Sequence, residues 1–159
     1  MLTNILLIII TYILMEPITW FTHKYIMHGF MWKFHEDHHD NRKKKHSFFE
    51  KNDVFFLIFA IPSMIMFLSG TLFEEYEYLI FIATGITLYG LTYFFIHDVL
   101  IHRRFKFLNK LENPYFNALR KAHKAHHKHL GKEDGECFGL LIVPKKYFKN
   151  QSINIVSKK

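Results

Sequence analysis

The sequence contains a single cysteine, Cys137, among its 159 residues. One cysteine permits no disulfide bond within the chain and no cage of thiolates around a metal ion. Any metal ion would therefore have to be held by nitrogen and oxygen ligands. The sequence also lacks a G-x-G-x-x-G segment, the fingerprint of proteins that bind flavin or nicotinamide dinucleotides.

Lysine and arginine are absent from two long stretches, residues 1–23 and 52–102. These stretches contain three apolar segments, at about residues 2–21, 54–72 and 78–97. A helix needs about 20 apolar residues to cross the roughly 30 Å hydrocarbon core of a bilayer, so each segment is long enough to span it. We therefore expect an all-α integral membrane protein with about three transmembrane helices.

Two other interpretations of these segments are less favoured. The first segment could be a cleaved signal peptide, but it has no basic residues at its start and leads directly into a histidine pair, which would lose its anchor. The second and third segments could form a buried hairpin in a soluble protein, but Pro62 and the unbroken apolar faces disfavour this. We expect one membrane-embedded domain that covers residues 1–159.

The basic residues predict how the chain is oriented. All 21 Lys and Arg residues lie in Lys24–Lys51 or Arg103–Lys159. Three spans place both regions on one side of the membrane, and the positive-inside tendency assigns that side to the cytoplasm. The net charge of +7 is explained by topology and anionic lipid, so we do not expect a nucleic-acid partner. No organelle transit peptide is visible, which favours a bacterial cytoplasmic membrane.

Ten of the twelve histidines form four clusters, which follow the apolar segments in the same order twice. Each half has a pair spaced H-x4-H and then a triplet spaced H-x2-H-H. The clusters are His23 with His28, then His35, His38 and His39, and later His97 with His102, then His123, His126 and His127. Ionisable side chains beside a bilayer are costly, so this concentration predicts a metal site in a helical cap on the cytoplasmic face.

The spacings predict how the imidazoles converge. Residues at i, i+3 and i+4 of a helix point to one side, so two or three imidazoles of a triplet can share one ion. A straight helix would separate a pair at i and i+5 by about 140°. Each pair must therefore bind two different ions or lie where the helix ends or bulges. Ten imidazoles are too many for one ion, and we expect two ions with roughly eight to ten ligands.

Other polar residues near the clusters have less specific interpretations. His46 and His129 lie outside the clusters and are interpreted as ordinary interfacial histidines. Asn52 and Asp53 precede the second span and are suited to capping it. Four carboxylates adjoin the clusters and are either surface charges or partners that orient the imidazoles through their second nitrogen. They are Glu36, Asp37, Asp40 and Asp98.

The ligand type leaves the metal open, because imidazole suits zinc, copper, nickel and iron. A closed zinc site would serve structure, whereas two iron ions would activate oxygen. One hypothesis is therefore a non-catalytic zinc-binding membrane protein. A transport role is disfavoured, since three spans are few and the histidines cluster outside them.

Several longer stretches resemble a known family. They are HKYIMHGFMWKFHEDHH at 23–39, FEKNDVF at 49–55, YGLTYFFIHDVLIHRRF at 89–105, AHKAHH at 122–127 and FGLLIVP at 138–144. The histidine clusters alone indicate the membrane fatty-acid hydroxylase superfamily. The stretches between them resemble its non-haem di-iron carotene hydroxylases, in particular the bacterial-type beta-carotene 3-hydroxylases, and the resemblance runs nearly end to end.

The resemblance implies a set of ligands and a reaction. The ligands of two iron ions would be His23, His28, His35, His38, His39, His97, His102, His123, His126 and His127. One atom of O2, the co-substrate, would be inserted at C3 of each beta-ionone ring, which converts beta-carotene through cryptoxanthin to zeaxanthin. Keto-carotenoids such as canthaxanthin are further plausible substrates. Electrons would come from reduced ferredoxin or another NAD(P)H-linked carrier, because the chain has no dinucleotide fingerprint of its own.

A sterol, a fatty acyl chain or another lipid is the alternative substrate. We expect Gly85 and Gly90 in the third span to serve helix packing, with the approach of a substrate as the alternative. Aromatic residues at the end of this span are candidates to line a substrate path or to anchor the helix at the interface. They are Tyr89, Tyr93, Phe94 and Phe95. The sequence leaves the oligomeric state open.

Overall fold

The computed structural model describes residues 1–40, 49–105, 111 and 113–148. Every regular element in these residues is helical, which confirms the expected all-α class. The α-helices are α1 Leu2–Phe21, α2 Trp32–His39, α3 Phe55–Leu72, α4 Tyr78–Tyr93 and α5 Pro114–His126. Two π-helical segments, π1 Thr22–Phe30 and π2 Phe94–Ile101, continue α1 and α4. Short 3-10 turns occur at Lys51–Val54, Glu74–Tyr76 and Lys145–Tyr147.

Three helical stretches are long and apolar enough to cross a membrane, which confirms the expected spans. They are Leu2–Phe30, Lys51–Leu72 and Tyr78–Ile101. The outward side chains of these helices are apolar and exposed, as Phe56 and Met64 show with 68% and 65% of their surface accessible. A soluble core would bury such side chains. The second and third spans therefore form an antiparallel pair with the surface of a membrane protein.

Helix α4 is the centre of the bundle and packs against both α1 and α3. The Tyr12 hydroxyl of α1 donates to Thr92 Oγ1 at 3.0 Å, and the Ser63 hydroxyl of α3 donates to the Ala83 carbonyl at 3.2 Å. These bonds satisfy polar groups that lipid could not. The buried apolar cluster lies at the cap end of the bundle and joins α1, α4, π2, α5 and the chain after α5. Its members are Met15, Tyr89, Ile96, Leu100, Leu119 and Leu140.

The two glycines of α4 have different surroundings. A Cβ atom at Gly85 would lie 2.7 Å from the Ile8 carbonyl oxygen of α1, so this glycine lets the two helices approach closely. A Cβ atom at Gly90 would meet no atom within 4 Å. The expectation of helix packing therefore holds for Gly85, whereas Gly90 faces open space.

Side chains cap the N-terminal ends of the second span and of α5. Glu50 and Asp53 form a capping box, in which the Glu50 amide donates to Asp53 Oδ2 at 3.0 Å. Asp53 therefore takes part in capping the second span as predicted, but the N-cap residue is Glu50, and the Asn52 side chain bonds His35 instead. Before α5, the Asn113 side chain accepts a bond of 2.8 Å from the Phe116 amide, and Pro114 occupies the first turn.

Candidate metal centre

The histidine clusters fold into two adjacent groups, and nine of the ten predicted ligands belong to them. Within each group every residue offers a ring nitrogen within 4.8 Å of those of the others. The first group is His23, His28, His35, His39 and His126, all buried. The second group is His38, His102, His123 and His127. The ring of His97, the tenth, lies beside the second group, with its centroid 4.5 Å from that of His102 and 4.9 Å from that of His123.

The π-helical segments explain how histidines five residues apart can face the same way. The His102 amide donates to the His97 carbonyl at 2.8 Å, which is an i to i+5 bond. His23 and His28 lie within π1 in the same manner and belong to one group. Of the two alternatives that the spacing allowed, the bulged helix is therefore the one that the structure has.

Each triplet is divided between the two groups. His35 and His39 of α2 belong to the first group, whereas His38 belongs to the second. Adjacent helical residues point about 100° apart, so His38 and His39 cannot be aimed at one position. The expectation that all three members share one side was too coarse. The i, i+4 members stay together and the i+3 member turns to the other group.

Helix α5 repeats this division in reverse. Its i, i+4 members, His123 and His127, belong to the second group, and His126 belongs to the first. Each group thus combines an i, i+4 pair from one cap helix with a single histidine from the other cap helix. The remaining members come from the π-helical end of a span. This exchange gives the centre an approximate twofold arrangement, in which His97 is the counterpart of His23.

The imidazoles point inward through Nε2, because their Nδ1 atoms are used elsewhere. The Nδ1–H groups of His23, His28, His39 and His126 donate to backbone carbonyls at 2.8–3.1 Å. His35 donates to Asn52 Oδ1 at 2.6 Å, and His38 donates to Glu50 Oε2 at 2.9 Å. These tautomers follow from the hydrogen-bond network. They leave an unprotonated Nε2 on each ring, the form in which histidine binds a metal.

The inward nitrogens approach one another as metal ligands do. The Nε2 of His35 lies 3.1 Å from the Nε2 atoms of both His23 and His39. Two ligands at right angles on bonds of about 2.1 Å are separated by about 3.0 Å. Since these atoms carry lone pairs and no hydrogen, such approaches are repulsive unless a cation lies between them. The residues therefore fit a metal ion.

Two further nitrogens support this fit in the second group. The Nε2 atoms of His38 and His127 are buried and have no hydrogen-bond partner among the described residues. A buried polar atom without a partner costs about 1–3 kcal/mol, so the arrangement needs a ligand. The Nε2 atoms of His102 and His123 are 2.7 Å apart, closer than the 3.1 Å of the first group.

Burial keeps the cap imidazoles neutral. Desolvation, with help from neighbouring imidazoles, lowers the pKa of His39 to about 4, of His127 to about 3 and of His126 to about 2. The same causes place the pKa values of His35, His38 and His123 well below the usual range. Metal binding requires the unprotonated ring, so no proton has to be removed near neutral pH.

The chain after α5 holds the first group in place. The His39 and His28 rings donate to the carbonyls of His129 and Lys132, at 3.0 and 3.1 Å. The Phe138 carbonyl accepts from His23 at 3.0 Å. His129 thus contributes through its backbone and belongs to neither group, in agreement with its interpretation as an ordinary histidine. His46 lies outside the described residues.

Carboxylates hydrogen-bond two of the rings, those of His97 and His38. Asp98, one of the predicted candidates, lies 3.4 Å from Nδ1 of His97. Glu50 and Asn52 were not predicted as partners of histidine, although both stand in the stretch FEKNDVF. Asp37 accepts instead from the Lys51 amide at 3.4 Å. The roles suggested for Glu36 and Asp40 stay predictions.

Glu16 was not among the residues predicted from the sequence, yet it ties the chain after α5 to the first span. Its Oε1 accepts from the amides of Leu140, Leu141 and Ile142 at 3.0, 2.8 and 3.1 Å. Its Oε2 accepts from the Tyr89 hydroxyl at 2.6 Å. An isolated carboxylate in an apolar span is a signal of such a role, because hydrocarbon does not solvate it.

A cavity of about 860 Å³ lies between α1, α3 and α4 and extends to His97, beside the second group. Its walls are mostly apolar, and His97 lines the end at the cap. Of the predicted aromatic path, Tyr89, Tyr93 and Phe94 line this cavity, whereas Phe95 lies outside its lining.

Three apolar spans that carry, at one end, two groups of histidines able to hold metal ions define a class of membrane protein. Residues 8–145 match the fatty acid hydroxylase family, and the chain belongs to that family of hydroxylase enzymes. It is 41% identical over 145 residues to the beta-carotene hydroxylase of Pseudescherichia vulneris, and the aligned region covers 91% of this chain and 80% of that protein.

Other relatives come from bacteria and plants. The chain is 40% identical over 141 residues to the beta-carotene hydroxylase of Pantoea ananas, covering 89% of this chain and 78% of that protein. It is 37% identical over 125 residues to the chloroplastic beta-carotene hydroxylase 1 of Capsicum annuum, covering 77% of this chain and 38% of that protein. No solved structure matches the chain.

Proposed function

We propose that the chain is a beta-carotene 3-hydroxylase that converts beta-carotene through cryptoxanthin to zeaxanthin. At each ring, one atom of O2 enters the C3–H bond and the other leaves as water, with two electrons and two protons supplied by a donor. The observation that carries the proposal is the convergence of unprotonated Nε2 atoms on two positions, in a chain 41% identical to a beta-carotene hydroxylase.

We infer that all ten clustered histidines are ligands, five at each position. The first group already offers five rings. The exchange between α2 and α5 makes His97 the counterpart of His23, and its ring lies within 5.1 Å of those of His38, His102 and His123, measured between centroids. Its Nδ1 faces Asp98, which leaves its Nε2 as the ligand atom.

The metal that suits this assignment is iron at both positions. Nitrogen ligands alone admit zinc as well. Membership of a hydroxylase family favours a metal that can activate O2, because attack on an unactivated C–H bond requires redox chemistry, which iron supplies when bound. The chain's own residues fix the ring orientations through Nδ1 and bury the first group away from water.

Because the chain has no dinucleotide fingerprint, a separate donor, such as reduced ferredoxin or another NAD(P)H-linked carrier, supplies the electrons. The basic regions that flank the spans support a cytoplasmic location for the cap. The bacterial relatives support a bacterial cytoplasmic membrane.

Expression in cells that accumulate beta-carotene tests the function. Cells that carry the chain are expected to form cryptoxanthin first and zeaxanthin later, whereas cells with an empty vector keep beta-carotene. The pigments are separated by chromatography and identified by mass. A parallel culture that accumulates canthaxanthin tests keto-carotenoids. Unchanged beta-carotene, with the protein in the membrane and loaded with iron, would overturn the proposal in favour of a sterol or acyl substrate.

A further inference from the structure

The cavity is an elongated slot along α3. Its lining extends from Phe55 near the cap to Phe67 within the bundle, about 18 Å at 1.5 Å per helical residue. Phe56, Met64 and Leu91 line the slot and are also exposed on the outer surface of the bundle. The slot is therefore open sideways, and a molecule dissolved in the bilayer can enter it without passing through water.

The slot meets the metal centre on one side only. Among the ten clustered histidines, His97 alone lines the slot. His97 lies against the second group, with its ring centroid 5.1 Å from that of His38. The five rings of the first group are buried and do not line the slot, and the slot approaches that group only through Asn52, which accepts from His35. A molecule in the slot is therefore presented to the second group.

The cap end of the slot is polar and the rest is apolar. Arg104 donates to both carboxylate oxygens of Asp53, at 2.9 and 3.0 Å, and to Asp98 at 2.8 Å. All three side chains line the slot, and Asp98 in turn touches His97. Carboxylate oxygens at this end offer acceptors to a newly formed hydroxyl group, while the aromatic and aliphatic walls suit a hydrocarbon chain.

Gly90 lies in the wall of the slot, and helix packing does not require a glycine there. A glycine within a helix costs about 1 kcal/mol relative to alanine. At Gly85 the close approach of α1 accounts for that cost, but a Cβ atom at Gly90 would meet no atom within 4 Å. A side chain at position 90 would therefore occupy space inside the slot.

We propose that the slot binds one ring end of the carotenoid, that it presents this ring to the second histidine group, and that Gly90 sets its width. The proposal rests on the proposed function. A ring with an attached rod of conjugated carbon matches an elongated apolar slot whose polar end lies at the metal centre. Substitutions at Gly90 therefore select against substrates that are wide at the reacting end.

The Gly90→Phe variant tests the proposal. Its aromatic ring is expected to fill the slot and to lower beta-carotene hydroxylation by about tenfold or more, since even one methylene in an apolar pocket is worth about 10–200-fold. Gly90→Ala should fall between this variant and the unmodified chain. Leu88→Phe, an exposed position of α4 outside the slot lining, is the matched control and is expected to retain full conversion.

Two readouts besides activity accompany the test. Purified Gly90→Phe is expected to carry the same iron per chain as the unmodified protein but less co-purified carotenoid. If Gly90→Phe does not fold, Ala60→Phe, which narrows the slot from α3, decides instead.

The outcomes distinguish a failure of the slot proposal from a failure of the proposed function. Full conversion and full pigment binding in both Gly90→Phe and Ala60→Phe would overturn the slot proposal, while zeaxanthin from the unmodified chain would leave the proposed function standing. A fatty acid instead of carotenoid in the purified protein would also overturn it. Absence of hydroxylation by the unmodified chain would count against the function itself.

Discussion

Alanine in place of His126 is expected to abolish hydroxylation and to lower the iron content from two ions per chain to about one. His126 is fully buried, with 0% of its surface accessible, and is the only histidine of α5 in the first group. Its Nε2 lies 3.3 Å from that of His28, and its Nδ1 donates to the Glu136 carbonyl at 2.8 Å. Loss of a partner that merely orients a ligand costs about 10–100-fold, so loss of the ligand itself should cost more than about 100-fold.

The measurement combines pigment analysis in beta-carotene cells with iron per chain in the purified protein. His129→Ala is the matched control, because it lies three residues further on and contributes to the centre through its carbonyl, which the substitution keeps. It is expected to behave like the unmodified chain. Full conversion and two ions in His126→Ala would refute the ligand assignment. Loss of activity with both ions retained would show that His126 acts without binding metal.

Leucine in place of Glu16 is expected to release the chain after α5 and to cause the largest loss of stability. Three backbone amides and one tyrosine hydroxyl would lose their acceptor at once. Each buried donor left without a partner costs about 1–3 kcal/mol, and lipid offers no substitute. The released segment also carries the Phe138 and Glu136 carbonyls, which orient His23 and His126. Iron should therefore be lost from the first group.

Limited proteolysis and thermal unfolding in detergent measure this effect. In Glu16→Leu, cleavage within residues 129–143 should become fast and the midpoint of unfolding should fall. Glu16→Gln keeps an oxygen that can accept from the three amides, so it is expected to restore most of the protection. Tyr89→Phe removes one bond and should have the smallest effect. A leucine variant as resistant and as stable as the unmodified chain would show that Glu16 does not hold this segment.

The spans and the identity of the clustered histidines could be predicted from the sequence, because both depend on local properties. An apolar segment of about 20 residues can satisfy its backbone within lipid only as a helix, wherever its neighbours lie. The spacing of the triplets likewise fixes their angles on a helix. The split of His38 from His39 follows from the same angles, and it could have been predicted once two ions were expected.

Other features depend on contacts between distant parts of the chain, which periodicity does not encode. The choice between a straight and a bulged helix at His97 and His102 is settled only by the i to i+5 bond. Glu16 binds amides more than 120 residues away, and a single carboxylate in a span does not identify its partners. Gly85 and Gly90 look alike in sequence, and only the position of α1 separates their roles.

The origin of the oxygen in the product tests the central claim most directly. Cells that accumulate beta-carotene and carry the chain are grown under ¹⁸O2, and the extracted pigments are weighed by mass spectrometry. We expect one ¹⁸O atom in cryptoxanthin and two in zeaxanthin, each within a ring hydroxyl. Hydroxylated carotenoid whose oxygen comes from water, or no hydroxylated carotenoid at all, would contradict the account.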